Sequence, residues 1–153
     1  MRKPIAASPS LIVLLALAAA PRAQSPANML AEVGMLGRWA ADCSRPAGGN
    51  NPHVIFEHGA GGTGAQYRVM FDAASSTTRS VDNVRILGAG TIAMRFTTLT
   101  GASTGLAFDI TMLKEPTRYK VIASVGSDGK VYINNGIVVA SGAANPWQNK
   151  CAD

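Results

Sequence analysis

From residue 36 onward, apolar and polar residues alternate in short runs, and this period of two residues constrains the fold more than any other feature of the sequence. In one run, Tyr67, Val69 and Phe71 alternate with Arg68 and Met70. Such alternation is typical of antiparallel strands that bury one face and expose the other. Gly, Asn, Asp and Ser interrupt the runs about every ten residues, which is the spacing found in sandwiches and barrels.

The pattern predicts an all-β fold with eight or nine antiparallel strands. Asn135-Gly136 suits a two-residue hairpin turn, because both central residues of that turn need positive φ. Sequential hairpins usually close into an up-and-down barrel, which removes exposed sheet edges. The predicted strands cover residues 36–43, 53–58, 65–72, 81–87, 91–99, 105–114, 118–126, 130–134 and 137–141.

Residues 25–35 are predicted to contain a short helix before the first strand. Ser25 can cap this helix, and Pro26 suits its first position. Gly34 and Gly37 would end it. One helix face would carry Met29, Leu30, Val33 and Leu36.

The chain begins with a short basic segment and an apolar run over residues 11–20. That run is shorter than the roughly 20 residues needed to cross a bilayer, but it fits a secretory signal peptide. We predict cleavage after Ala23, with Ala19 or Ala20 as alternatives. The chain would then divide into a signal peptide (1–23), an N-terminal segment with the short helix (24–35) and a barrel domain with its C-terminal tail (36–153). Bacterial Sec export would place it in the periplasm or outside the cell, with no membrane span after cleavage.

Removal of the signal peptide changes the charge balance. The whole chain has 14 Lys and Arg against 9 Asp and Glu, a net charge of +5. Arg2, Lys3 and Arg22 would leave with the peptide, so the mature chain carries 11 basic and 9 acidic residues, a net charge of +2. No basic run remains, which argues against a nucleic-acid partner. We expect a monomer.

Cys43 and Cys151 both lie in the mature part of the chain. An even cysteine count in a short exported protein predicts a disulfide, although two unrelated thiols are the alternative. The bond would close a loop of about 109 residues and tether the C-terminal tail to the first strand. The chain-entropy relation assigns such a loop roughly 4.7 kcal/mol of stabilisation.

Gly37-Arg38-Trp39 forms a G-x-W motif at the start of the first predicted strand, just after the short helix. This arrangement resembles the lipocalin and calycin barrels. The resemblance implies that Trp39 packs across the closed end of the barrel. Thr117-Arg118-Tyr119 stands where lipocalins carry T-D-Y, with Arg118 in place of Asp. Lipocalins also cover the Trp with a late Arg, whereas the only late cation here is Lys150.

The layout is also similar to the small bacterial periplasmic barrels that inhibit secreted metalloproteases. Those proteins have eight strands, one disulfide and an N-terminal segment that enters the protease cleft. The resemblance implies that residues 24–35 could form such a segment. The cysteine spacing here is wider than that family leads one to expect.

Several motifs have structural explanations. Residues 59–64 match G-x-G-x-x-G, but a strand rather than a helix follows them, so we interpret them as a hairpin loop. His53 and His58 are five residues apart on one predicted strand and would face opposite sides, which argues against a metal site.

Trp147 is expected to cover a barrel end or flank, as Trp39 does. No G-x-S-x-G motif or other catalytic arrangement is present, so we predict no enzyme and no cofactor.

The sequence leads us to predict an exported lipocalin-like barrel that binds a small apolar ligand. One alternative is an interaction protein, such as an inhibitor of a secreted hydrolase, and another is a structural envelope protein. Met70, Met94 and Met112 are adaptable side chains that would suit either a ligand or a packed core. If a ligand cavity exists, the alternation predicts that its lining is drawn from Tyr67, Val69, Phe71, Ile92, Met94, Phe96, Phe108, Ile110, Tyr119 and Val121.

Overall fold

The structure, a computed structural model, describes residues 24–62 and 64–152. The predicted signal peptide lies outside the described residues. The elements in chain order are α1 (Pro26–Glu32), β1 (Gly37–Ala40), β2 (His53–His58), β3 (Ala65–Met70), β4 (Ser76–Gly88), β5 (Thr91–Thr98), β6 (Ala107–Glu115), β7 (Arg118–Gly126), β8 (Val131–Asn134), β9 (Ile137–Val138) and β10 (Gln148–Lys150).

The strands form a closed eight-stranded antiparallel barrel. Strands β1 to β7 pair in chain order, and β10 then pairs with both β7 and β1. The closing register places Gln148 opposite Tyr119 and Lys150 opposite Trp39. Strands β8 and β9 lie outside this ring, as an extension from the end of β7. The predicted all-β barrel with a short N-terminal helix is therefore confirmed.

The strand that closes the barrel was not among those predicted. The prediction ended the last strand at residue 141 and treated the rest as a tail. In the structure that tail contains β10, whereas β9 spans only Ile137–Val138. The three residues of β10 are polar and show no apolar alternation, so only their pairing with strands distant in the sequence identifies them.

Two other predicted strands differ in ways that affect the site. The strand predicted for 81–87 begins at Ser76, because its polar first half pairs with β3. In β7 the sequence alternation would place Tyr119, Val121, Ala123 and Val125 on one face, but the structure interrupts this row. A register shift between β6 and β7 turns Ser124 inward, at 7% exposure, while Val125 is 40% exposed. A bulge inserts one residue and so reverses the alternation beyond it.

The two ends of the barrel differ in how they are closed. We call the end where β3 finishes and β4 begins the mouth, and the opposite end, where β1 begins, the helix end. Helix α1 is capped by Ser25, whose Oγ accepts a hydrogen bond from the Asn28 amide at 3.3 Å. The helix packs against β2, β3 and β4, and Ala27 and Leu30 join the core. Gly34 follows the helix with φ of +69°, a conformation that glycine adopts easily.

The disulfide between Cys43 and Cys151 is present, with 5.3 Å between the Cα atoms. Cys43 lies in the loop after β1, and Cys151 follows β10 directly. The Cys151 amide also donates a hydrogen bond to the Arg38 carbonyl at 2.9 Å. The bond therefore fastens the closing strand to the first strand, and such bonds are typical of oxidising compartments.

Candidate functional site

An apolar pocket lies at the mouth, between the β8–β9 hairpin and the ends of β3 and β4. Its volume is about 820 Å³, within the usual range for ligand sites of about 300–1,000 Å³. Most of its lining comes from the hairpin and the residues after it. The lining residues are Phe71, Arg79, Lys130, Val131, Tyr132, Ile133, Val138, Val139 and Ala140.

The pocket exists because the hairpin leaves the barrel wall. Strand β8 pairs with β7 only near Ser124 and Val125, while β10 takes the eighth position in the ring next to the start of β7. The turn between β8 and β9 has positive φ at Asn135 and Gly136, as the predicted two-residue turn requires. The hairpin therefore stands beside the mouth, and one of its sides borders the pocket.

The pocket wall includes large apolar side chains that remain in contact with water. Phe71 is 41% exposed, Val131 is 46% exposed and Val139 is 54% exposed. Grouped apolar exposure of this kind marks binding surfaces more often than scattered single residues do.

The inner wall at the mouth carries a row of polar side chains. Tyr67, Arg79 and Thr98 occupy directly opposed positions on β3, β4 and β5. The Arg79 guanidinium carbon lies 4.6 Å from the centre of the Phe108 ring and 5.6 Å from that of Tyr67. Cation–π contacts therefore hold Arg79 against aromatic rings that belong to the core.

Two atoms of this row are buried without a hydrogen-bond partner among the described residues. They are Nε of Arg79 and Oγ1 of Thr98, and the Thr98 residue is only 1% exposed. No salt bridge in the described part of the chain involves Arg79. Buried polar groups are normally paired, so these two atoms stand out as positions that a ligand could satisfy.

Two tyrosines near the mouth have altered acidity. Burial raises the pKa of Tyr67, and the positive charge of Arg79 offsets part of that rise. Burial also raises the pKa of Tyr132, whose hydroxyl donates a 3.1 Å hydrogen bond to Asp128. Both hydroxyls therefore stay protonated at neutral pH and can donate hydrogen bonds.

The ten side chains predicted to line a cavity mostly pack against one another. Of these, Ile92, Met94, Phe96, Phe108, Ile110 and Tyr119 belong to the buried core, Tyr67 and Val121 pack against it, and Val69 is buried. Phe71 follows the end of β3 at Met70, is partly exposed and borders the mouth pocket. A ligand role for any of the ten side chains stays a prediction.

Trp39 is fully buried, as part of the core. Its Nε1 donates a 2.8 Å hydrogen bond to the Met35 carbonyl, and its ring meets Tyr119 edge-on at 5.2 Å. The ammonium groups of Lys114 and Lys150 lie 5.3 and 5.5 Å from the ring centre. Burial and the charge of Lys150 lower the pKa of Lys114.

Trp147 lies just before β10 and is half-buried. The guanidinium of Arg118 lies 4.5 Å from its ring, and the same guanidinium is paired with Glu115 at 2.7 Å. Arg118 alternates with the buried Tyr119 and so points away from the core. Trp147 therefore covers the barrel flank at the start of β7.

The histidines and the glycine-rich segment do not form a second site. His53 is buried, with its Nε2 3.0 Å from the Arg45 carbonyl oxygen, and His58 is exposed at the far end of β2. Residues 59–64 connect β2 to β3, where the Gly59 amide donates to the Gly64 carbonyl. Within the described residues, no group of three or more His, Cys, Asp or Glu side chains could hold a metal ion.

A second depression of about 510 Å³ lies on the outer face of β4 to β7. It contains the exposed Arg95–Asp109 salt bridge, with 2.7 Å between nitrogen and oxygen. Arg85 and Leu87 lie along one side. Arg95 and Asp109 are paired with each other, whereas Arg79 at the mouth has no ion-pair partner among the described residues.

Arg79 and the β8–β9 hairpin, which together border the candidate site, were not among the residues predicted for it. The segment Val131–Val139 is apolar on both of its faces, which is unusual for a hairpin that would expose one face to water. That departure from alternation could have identified it as a binding element. The inward direction of Arg79 could not be read, because the polar residues around it resemble a loop.

The fold defines the protein as a closed eight-stranded antiparallel barrel, which agrees at a coarse level with lipocalin-like barrels. Comparisons with protein families, with curated proteins and with solved structures find no match to the chain. Among the described residues, no helix is long and apolar enough to cross a membrane.

Proposed function

We propose that the protein is an exported, non-enzymatic binding protein that holds a small apolar ligand in the mouth pocket. The observation that carries the proposal is the apolar pocket of about 820 Å³ between the hairpin and the barrel. Its volume suits a small organic molecule, and its wall keeps three large apolar side chains partly in water. A ligand that covered these side chains would gain roughly 25 cal/mol for each Å² of apolar surface removed from water.

The resemblance to lipocalins supports this proposal. The G-x-W motif follows a short helix, and Trp39 packs at the helix end beneath two lysine ammonium groups. Lys150 thus provides the late cation near the Trp that lipocalins take from an arginine. With that end filled by α1 and Trp39, a ligand would enter from the mouth. Membership of the lipocalin family is part of this proposal.

Binding of N-phenylnaphthylamine, a neutral apolar dye, tests the proposal on the purified protein. Val139→Asp places a charge in the pocket wall at a residue that is 54% exposed. Leu87→Asp is the matched control, because Leu87 is 56% exposed and lies on the outer face of the barrel. We expect Val139→Asp to weaken dye binding by about tenfold or more, since ligand contact would desolvate the new carboxylate. Absence of dye binding to the wild type, or equal loss in both variants, would overturn the proposal.

The alternative of a hydrolase inhibitor would act through a projecting N-terminal segment or through loops at the open end. The described part of that segment is instead docked, with Leu30 and Met35 fully buried. Deleting residues 24–35 would therefore expose the core rather than remove an independent arm. No contact of the segment favours the inhibitor over the binding protein, and we do not propose the inhibitor as the function.

We further propose export to the periplasm or beyond. The disulfide supports this, because such bonds persist mainly in oxidising compartments. Terminal sequencing of the exported protein tests the proposal and should find a chain that begins at Gln24. A chain that retains residues 1–23 inside the cytoplasm would contradict it.

A further inference from the structure

One member of the polar row at the mouth carries a charge that no ion pair among the described residues neutralises. Arg79 points inward from β4, in register with Tyr67 and Thr98 on the neighbouring strands. Its side chain also borders the apolar pocket. A permanent positive charge therefore lies where the pocket meets the barrel interior.

One edge of the Arg79 guanidinium lacks a hydrogen-bond partner. The guanidinium carbon lies 4.6 Å from the centre of the Phe108 ring. Nε lies at the edge of the guanidinium plane, and it is buried with no hydrogen-bond partner among the described residues. The edge formed by Nε and a terminal nitrogen matches the two oxygens of a carboxylate.

The neighbouring groups can complete such a site. Thr98 presents a buried hydroxyl without a partner in the described part of the chain, directly opposite Arg79. The Tyr67 ring centre lies 5.6 Å from the Arg79 guanidinium carbon, and its hydroxyl is protonated at neutral pH. Both hydroxyls can donate hydrogen bonds to an anion.

Two carboxylates of the mouth loops already have other partners. Asp128 accepts from the Tyr132 hydroxyl at 3.1 Å and lies 3.5 Å from the Lys130 ammonium. Asp72 accepts from the amides of the next turn, at 2.7 Å in both cases. Each is held by groups other than Arg79, whose charge therefore remains available to a ligand.

We propose that the ligand of the mouth pocket is an amphiphile with a carboxylate head, which pairs with the Nε edge of Arg79 while its apolar body lies along the β8–β9 hairpin. This inference rests on the proposed binding function and specifies the chemical class of the ligand. One oxygen of a carboxylate would accept a hydrogen bond from Arg79 Nε. Its second oxygen would accept a hydrogen bond from the Thr98 hydroxyl.

A comparison of the affinities of two probes with the same chain length tests the inference. Dodecanoate and dodecanol share one apolar chain and differ in the head group, and each is titrated against the purified wild-type protein at neutral pH. We expect dodecanoate to bind at least about tenfold more tightly than dodecanol, since hydrogen bonds between charged groups are stronger than those between neutral groups.

Two variants locate the source of that preference. Arg79→Met retains a similar apolar stem without the charge, and it should bring the affinity for dodecanoate down to that for dodecanol. Arg85→Met is the matched control on the same strand, where Arg85 is exposed on the outer face, and it should keep the preference. Circular dichroism and thermal unfolding of each variant, compared with the wild type, establish that it is folded.

The outcomes separate the two proposals. Equal binding of both probes to the wild type, or a preference that survives Arg79→Met, would overturn the carboxylate inference and leave the apolar binding function standing. Failure of both probes to bind would overturn the binding function itself. Tighter dodecanoate binding that disappears only in Arg79→Met supports both.

Discussion

Both the helix end and the mouth contain large apolar side chains, but the two ends differ in how far these side chains are buried and in whether nearby polar groups are hydrogen bonded. At the helix end, Leu30, Met35 and Trp39 are fully buried, and the Trp39 indole is hydrogen bonded to the chain that leads into β1. At the mouth, Phe71 and Val139 are partly exposed, and the nearby Arg79 has an unsatisfied buried nitrogen. Apolar burial and satisfied polar groups stabilise a fold, whereas exposed apolar surface and unpaired polar atoms cost free energy. The contrast indicates that stability is concentrated at the helix end, and it agrees with our proposal that ligand binds at the mouth.

The largest expected effect on stability comes from removing the disulfide that holds the closing strand to β1. Replacing both Cys43 and Cys151 by Ser should lower the free energy of unfolding by about 2–5 kcal/mol, because the bridge spans 108 positions of sequence. Denaturant unfolding of the variant and the wild type measures the change. Loss of the bridge should also loosen β10 and the start of β7 together, which hydrogen exchange would detect. Unchanged stability would show that the bridge does not secure the barrel closure.

The next prediction compares the two ends directly. Leu30→Ala at the helix end should cost about 2–5 kcal/mol, since it removes a fully buried side chain from the core. Val139→Ala at the mouth should change stability by no more than about 0.5 kcal/mol, because that side chain is half in water. Thermal or denaturant unfolding of the two variants provides the comparison. Equal losses of stability in the two variants would contradict the proposed distinction between a stabilising end and a binding end.

A smaller effect on the free energy of unfolding is expected at alkaline pH. Burial, together with the charge of Tyr67, holds the pKa of Tyr119 well above its ordinary value in the folded protein. The stability associated with the neutral hydroxyl is thus fully present below about pH 10 and is lost as the pH rises toward the folded pKa.

Tyr119→Phe removes this titration and isolates its contribution. The free energy of unfolding of the wild type should fall more steeply above about pH 10 than that of the variant. Lys114 acts in the opposite direction, because its lowered pKa makes stability rise with pH up to its unfolded pKa of about 10.4, but it is present in both proteins. Parallel pH profiles for the two proteins would indicate that the Tyr119 hydroxyl ionises as freely in the folded state as in the unfolded one.

Sequence patterning was sufficient to predict the barrel because most strands bury alternate residues. Ile92, Met94 and Phe96 illustrate this on β5, where all three are buried as the alternation requires. The disulfide was likewise predictable from the cysteine count and the expected compartment. Both features depend on local periodicity or on composition, which a single sequence contains.

The closure of the barrel and the mouth were harder to predict, because both arise from contacts between residues distant in the sequence. Gln148–Lys150 has no apolar pattern and becomes a strand only by pairing with β1 and β7. The inward direction of Ser124 follows from a bulge that alternation does not register. Arg79 lies in a polar stretch, so its position inside the barrel depends on the pairing of β4 with β3 and β5.

The central claim is that ligand binds at the mouth while the helix end remains closed. Amide chemical shifts of the purified protein, recorded during titration with dodecanoate, test it most directly. We predict that the changes cluster at Phe71, Arg79, Thr98 and the β8–β9 hairpin, with the amides of Leu30, Met35 and Trp39 unaffected. Changes centred on the helix end, or on the outer face around Arg85 and Arg95, would contradict the account.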